Sequence, residues 1–199
     1  MATGINVIAE IGPKNVSPIV VSTPHSGWFN NAGERGSGIA AFLALAEWAQ
    51  SKKDRHFIFV ANSGHERGNL GAVKYLDEQA PTPDKSALWI HIGANVGSAE
   101  IDGSVSTSRY LMTNWYHLLR SGSLFWGQPG YDVPIPLELG LAHGELMNVY
   151  DAEYKDTLGI FGSSPRHHCA NDRKDAVLPD AISKAAISLA AFIEMSASD

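Results

Sequence analysis

The sequence predicts an α/β protein, a three-layer sandwich in which a mixed, mostly parallel sheet lies between helices. Two observations carry this reading. Short, continuously apolar runs such as residues 56–61 suit strands buried on both faces. These runs alternate with segments whose apolar residues recur at helical spacing, which places helices on both sides of one sheet. No internal repeat and no linker interrupts the pattern, so residues 1–199 read as a single domain.

Residues 5–11 and 18–23 read as the first two strands, joined by a turn through Gly12, Pro13, Lys14 and Asn15. An irregular loop follows from Pro24 to Asn31. After Gly36-Ser37-Gly38 a helix is expected, with Ser37 as its N-cap and Ile39, Phe42, Leu43, Ala46 and Ala49 on one face. The apolar run 56–61 forms the third strand and ends in Asn62-Ser63-Gly64-His65-Glu66-Arg67-Gly68. A helix is expected over 69–78, a strand over 87–92, a helix over 107–119 and a short core strand over 158–161. Prolines rule out a helix through 129–136. The C-terminal segment opens with Pro179-Asp180 and repeats apolar residues at Ile182, Ala186, Leu189 and Ile193, an amphipathic helix.

Composition removes several classes of function. Fifteen basic residues against 21 acidic ones give a formal charge of −6, and no Lys/Arg cluster offers a surface for nucleic acid or an anionic membrane. The one cysteine, Cys169, excludes a disulfide framework and a cysteine-based zinc module. No apolar run is long enough to span a bilayer. The opening Met-Ala-Thr-Gly-Ile-Asn-Val lacks the basic and apolar regions of a signal peptide, so a cytoplasmic protein is expected.

The eight histidines are more informative. His25 follows the second expected strand, His65-Glu66 the third, His91 closes the fourth, and His167-His168 follow the fifth. The carboxyl edge of such a sheet is where α/β proteins place their ligand crevice. His56, His117 and His143 read as structural or exposed. Trp115, Tyr116, Phe125, Trp126 and Tyr131 suit either a site wall or core packing.

These segments resemble those of a known family. Asn6-Val7-Ile8-Ala9-Glu10-Ile11, Ile19 to His25, Ala32-Gly33-Glu34-Arg35-Gly36-Ser37-Gly38, His65 to Gly71 and His168 to Asp172 are similar, in order and spacing, to the co-catalytic zinc aminopeptidases. That superfamily includes the bacterial leucine aminopeptidases and the glutaminyl cyclases. The resemblance implies a zinc-exopeptidase-like sandwich and a hydrolase-like activity on a small amide, peptide or ester. It also implies metal ligands at His25, Glu34, Glu66, His91 and His168, with His65 and Glu66 at the chemical step. Trp28 and Arg35 are assigned to substrate binding, against the plainer reading that Arg35 pairs with Glu34. Family members usually carry an N-terminal helical segment before the first strand. Surface left uncovered here would be buried in a homo-oligomer.

The match departs from the family at chemically important positions. Gly27 replaces the aspartate that orients the first histidine, and Glu34 stands for the metal-bridging aspartate. His65 replaces the general-base glutamate. The next ligand aspartate falls at His91 or, with a two-residue shift, at Gly93. One zinc ion rather than two is therefore expected, held by Glu34, Glu66 and His168. Two alternatives stay open: a metal-free lyase or isomerase using His65, His25 and Glu66 as acid and base, and a binding or assembly module without catalysis.

Overall fold

A computed structural model describes residues 3–99, 109–125 and 134–196. Among the described residues, seven strands build one mixed sheet: β1 (Val7–Ile11), β2 (Ile19–Pro24), β3 (Phe57–Asn62), β4 (Leu88–Ile92), β5 (Arg109–Thr113), β6 (Ile135–Pro136) and β7 (Thr157–Gly162). Their spatial order is β1-β3-β2-β4-β7-β5-β6. The central four strands, β3, β2, β4 and β7, are mutually parallel, whereas β1 and β5 run antiparallel on either side of them.

The central strands explain themselves from sequence. Ile19-Val20-Val21 is β-branched throughout and every residue of β2 is buried. Successive side chains serve opposite faces. Ile19, Val21, Phe57, Phe59 and Ile90 join Phe42 and Leu45 of α1 (Ser37–Ala49) and Leu189, Phe192 and Ile193 of α5 (Pro179–Ser196) in one apolar cluster. Phe125, at the end of α3 (Trp115–Phe125), completes it. On the other face Val20, Ile58, Val60 and Trp89 pack with Tyr75 of α2 (Leu70–Glu78) and Val149 of α4 (Glu145–Asp151). Truncating a fully buried leucine such as Leu189 to alanine is expected to cost about 2–5 kcal/mol.

Two local expectations are corrected. The helix expected over 107–119 is instead strand β5 followed by α3, because Leu111, Met112 and Thr113 pair with Ile160, Gly159 and Leu158 of β7. Helix begins only after Asn114, whose side-chain oxygen accepts the His117 N–H at 3.0 Å. Residues 107 and 108 lie outside the described residues, as do Trp126, Tyr131 and 129–133 of the proline segment. The second correction concerns Ser37. It does not cap α1; its hydroxyl donates to the Gly33 carbonyl, because a wide helical turn over Ala32–Gly36 already precedes it.

Parallel β3, β2, β4 and β7 end at one edge of the sheet, so the loops after them converge there. No helix among the described residues is long and apolar enough to cross a membrane.

Candidate functional site

The site is built on the turn that precedes α1. Asp172, itself buried, accepts the backbone N–H groups of Gly33 and Glu34 at 2.7 and 2.9 Å. An acceptor from 138 residues away thus satisfies the free donors of a helix start, and its negative charge suits that end of the helix. The clamp holds Glu34 fully buried beneath the loop that follows β7.

Three groups converge on the Glu34 carboxylate. Arg35 Nη2 lies 2.9 Å from Oε1, His168 Nε2 lies 3.2 Å from the same oxygen, and the His168 backbone N–H reaches Oε2 at 3.4 Å. His167 Nδ1 stands 4.0 Å from Oε2. His168 adopts a left-handed φ of 58°, a conformation that costs a non-glycine residue about 1–3 kcal/mol and persists only where its surroundings enforce it. The two imidazoles stack with centroids 4.0 Å apart.

Arg35 ties Glu34 to Glu66. The same Nη2 donates to Glu66 Oε1 at 2.7 Å, and Nε donates to the Ser26 carbonyl at 2.8 Å. Glu66 Oε2 in turn accepts the Trp28 indole N–H at 2.9 Å and faces His168 Nε2 at 3.6 Å. Partial burial works to raise the Glu66 pKa, but the Arg35 hydrogen bond and the charges of Arg35, His65 and His168 outweigh it and hold the carboxyl below its ordinary value. Arg35 is almost wholly buried in this arrangement, while Trp28 remains half exposed at the rim.

A cavity of about 360 Å³ opens beside this cluster, with Arg35, His65, His91, His143, His167 and Phe161 in its wall. His65 Nδ1 faces Glu145 Oε1 at 3.3 Å, and Glu145 Oε2 accepts Asn62 Nδ2–H at 2.9 Å. His91 Nδ1 lies 3.0 Å from the Ser22 hydroxyl, which accepts the Trp89 indole N–H at 2.8 Å. Complete burial pushes the His91 pKa down to about 4, more than the Glu145 charge restores. Burial also lowers the His167 pKa, against the opposing charge of Glu34.

Of the residues singled out in the sequence, Glu34, Arg35, Glu66, Trp28 and His168 form one connected cluster, and His65 and His91 line the adjoining cavity. His25 is engaged elsewhere: its Nε2–H donates to the Ile5 carbonyl at 2.9 Å. Gly93 also lines the cavity, and as glycine it offers no side-chain ligand. Four further contributors went unassigned from sequence. His143, read as background, lies in the cavity wall. Asn95 donates from Nδ2 to His167 Nδ1 at 3.1 Å. Asp172 was visible only as the end of a matched segment. Glu145 heads a short helix with Leu146 and Val149 on its buried side, and that acidic residue at the start of an apolar period was the available signal.

The donor set fits one metal ion. Ligand atoms of Glu34, His167 and His168 all lie within 4.8 Å of one another. Glu34 Oε1 is buried and ion-paired to Arg35 at 2.9 Å but makes no aligned hydrogen bond, and its 3.2 Å distance from His168 Nε2 is close to the ~3.3 Å edge of a tetrahedral zinc shell. Glu66 stands outside that group. Among the described residues no second group of this kind is found; His25 is bonded to the Ile5 carbonyl and His91 to Ser22.

No protein-family model matches the sequence, and no curated protein matches it. Solved structures do match in fold. A zinc aminopeptidase from Bacillus subtilis superposes with a TM-score of 0.78 at 18% identity, over 96% of this chain and 49% of that one. An aminopeptidase from Aneurinibacillus sp. strain AM-1 gives 0.77 at 17% identity, over 96% and 47%. The glutaminyl cyclase of Porphyromonas gingivalis gives 0.74 at 12% identity, over 96% and 76%. The chain therefore has the fold of the zinc aminopeptidases and glutaminyl cyclases, as its sequence resemblance implies. It spans about half the length of the aminopeptidases it matches.

Proposed function

We propose that this protein is a hydrolase acting on a small amide, peptide or ester, with a single-metal site remodelled from the zinc-aminopeptidase pattern. The observation that carries the reading is the Glu34, His167 and His168 group placed at the border of a cavity that also presents His65. A zinc ion held by those three residues would supply Lewis-acid polarisation of a substrate carbonyl. The chain's own groups do the rest. His65 moves a proton at Nε2, Arg35 neutralises the paired carboxylates of Glu34 and Glu66, and the cavity admits a small substrate. Its volume suits a ligand at the small end of ordinary binding sites.

A second reading rests on a different observation. Arg35 Nη2 already stands between Glu34 and Glu66, supplying positive charge where a cation would bind, which favours a metal-free acid/base enzyme. One experiment separates the two. Protein purified without chelator is assayed for metal content and for turnover of small aminoacyl amides and esters, before and after chelation. About one equivalent of zinc, with activity lost on chelation and restored by zinc, is expected. Activity that survives chelation selects the metal-free reading, and no turnover in either state rejects both.

A further inference from the structure

Two histidines in the cavity wall are held by partners of opposite hydrogen-bonding character. Behind His91, the Trp89 indole can only donate, so the Ser22 oxygen must accept it. Ser22 is buried, and His91 Nδ1 at 3.0 Å is the acceptor within its reach. The serine hydroxyl therefore donates to Nδ1, and the proton of a neutral His91 ring belongs on Nε2. Behind His65 the logic reverses. The Glu145 carboxylate, buried and already accepting from Asn62 at Oε2, takes the Nδ1 proton of His65 at Oε1. The lone pair of a neutral His65 ring then sits on Nε2. Among the described residues neither Nε2 meets a protein partner, and both rings line the same cavity.

We infer that Ser22 and Glu145 lock His91 and His65 in opposite neutral tautomers, so that the cavity presents one imidazole N–H donor and one imidazole acceptor as a matched pair. Neither Ser22 nor Glu145 touches a substrate; both are positioning residues. The pairing rests on the hydrolase reading for its purpose and fits a substrate with a carbonyl group. A water gives one proton to His65 Nε2 as its oxygen bonds to the carbonyl carbon. The carbonyl oxygen, now bearing the negative charge, accepts the His91 Nε2–H. When the carbonyl re-forms, the bond to the leaving nitrogen or oxygen breaks, and His65 returns its proton to that atom. The products are a carboxylic acid and an amine or alcohol, so the water is fully accounted for. A neutral imidazole donor facing an oxyanion, opposite a separate base, is an arrangement other enzymes use.

The test reads tautomers directly. Long-range 1H–15N correlation spectra of histidine-labelled protein near neutral pH, assigned with His65→Gln and His91→Gln, are expected to show His65 protonated on Nδ1 and His91 on Nε2. Glu145→Gln offers an amide N–H to Nδ1 and should switch His65 to the Nε2-protonated form while the remaining histidine signals keep their positions. With an active substrate, the same variant should lower kcat by at least about 100-fold at nearly unchanged KM. Ser22→Ala should shift His91 alone. The inference is overturned if His65 carries its proton on Nε2, or His91 on Nδ1, in the unmodified protein, or if Glu145→Gln leaves the His65 tautomer unchanged. Correct tautomers without turnover of any amide or ester support the pairing and reject the hydrolase reading, so the two failures are distinguishable.

Discussion

Arg35 donates from Nη2 to Glu66 Oε1 at 2.7 Å across the sheet edge, and this contact joins the turn before α1 to the loop after β3. The guanidinium is buried, and the same nitrogen also lies against Glu34. Two carboxylates thus depend on one cation. Removing it as Arg35→Gln should destabilise metal-free protein by about 3 kcal/mol, because the buried Glu34 carboxylate loses its cation and the partly buried Glu66 carboxylate loses it too. Zinc should recover part of that loss by supplying the missing charge. Urea midpoints of the variant with and without zinc check this. An equal loss in both conditions would mean that zinc does not replace the Arg35 charge beside Glu34.

Asp172 should matter for stability more than a surface aspartate. It satisfies two backbone donors at the start of a buried helical turn, so Asp172→Ala strands both N–H groups. A cost of about 2 kcal/mol is expected, with Asp172→Asn less severe because one acceptor oxygen remains. Denaturation of the two variants side by side tests the ranking. The alanine variant should also bind metal more weakly, since Glu34 is carried on the turn that Asp172 holds.

The sequence made the central strands legible because each carries a short apolar stretch that suits burial on both faces. It also brought His25, His65, Glu66, His91 and His168 to one edge, since that placement follows from parallel strand order alone. Strand β5 was not legible. Arg109 to Thr113 runs into Trp115 and Tyr116 with spacing that also suits a helix, and what makes it a strand is pairing with β7 some fifty residues later. The partners of the site residues failed for the same reason. Arg35 reads naturally as a mate for adjacent Glu34, which it does meet at 2.9 Å, but its bond to Glu66 spans 31 residues. Glu145 meets His65 across 80. Local pattern places the candidate side chains at one edge, but which nitrogen faces which oxygen is set by tertiary contacts.

His91 makes the fold sensitive to acid. Its pKa falls from an ordinary 6.5 to about 4 on burial. Between those values the unfolded chain takes up a proton that the folded protein refuses, so stability falls as pH drops from about 7 toward 4. The loss attached to this residue is on the order of 3 kcal/mol, and it levels off below pH 4, where both states are protonated. Burial shifts His167 in the same direction, so the comparison must be made between proteins rather than along one curve. Unfolding free energies at several pH values between neutral and pH 4, for the parent and His91→Gln, should show a flatter profile in the variant. Parallel profiles would contradict the assignment.

Gly144 offers a test of how tightly the His65 ring is held. It precedes Glu145 with φ 53° and ψ −137°, a backbone region essentially reserved for glycine. A Cβ added there would stand 3.3 Å from His65 Cε1 and 4.0 Å from Nε2. Gly144→Ala therefore acts twice. The backbone must leave its preferred region, at about 1–3 kcal/mol, and the new methyl presses on the ring edge that faces the cavity. Because α4 begins at the next residue, any relaxation moves the Glu145 carboxylate relative to His65 Nδ1. The expected outcome is moderate destabilisation with a disproportionate loss of kcat, read by urea denaturation and steady-state kinetics on the same preparation. Lost stability with kcat intact would show that the His65–Glu145 contact tolerates displacement and does not govern the chemical step.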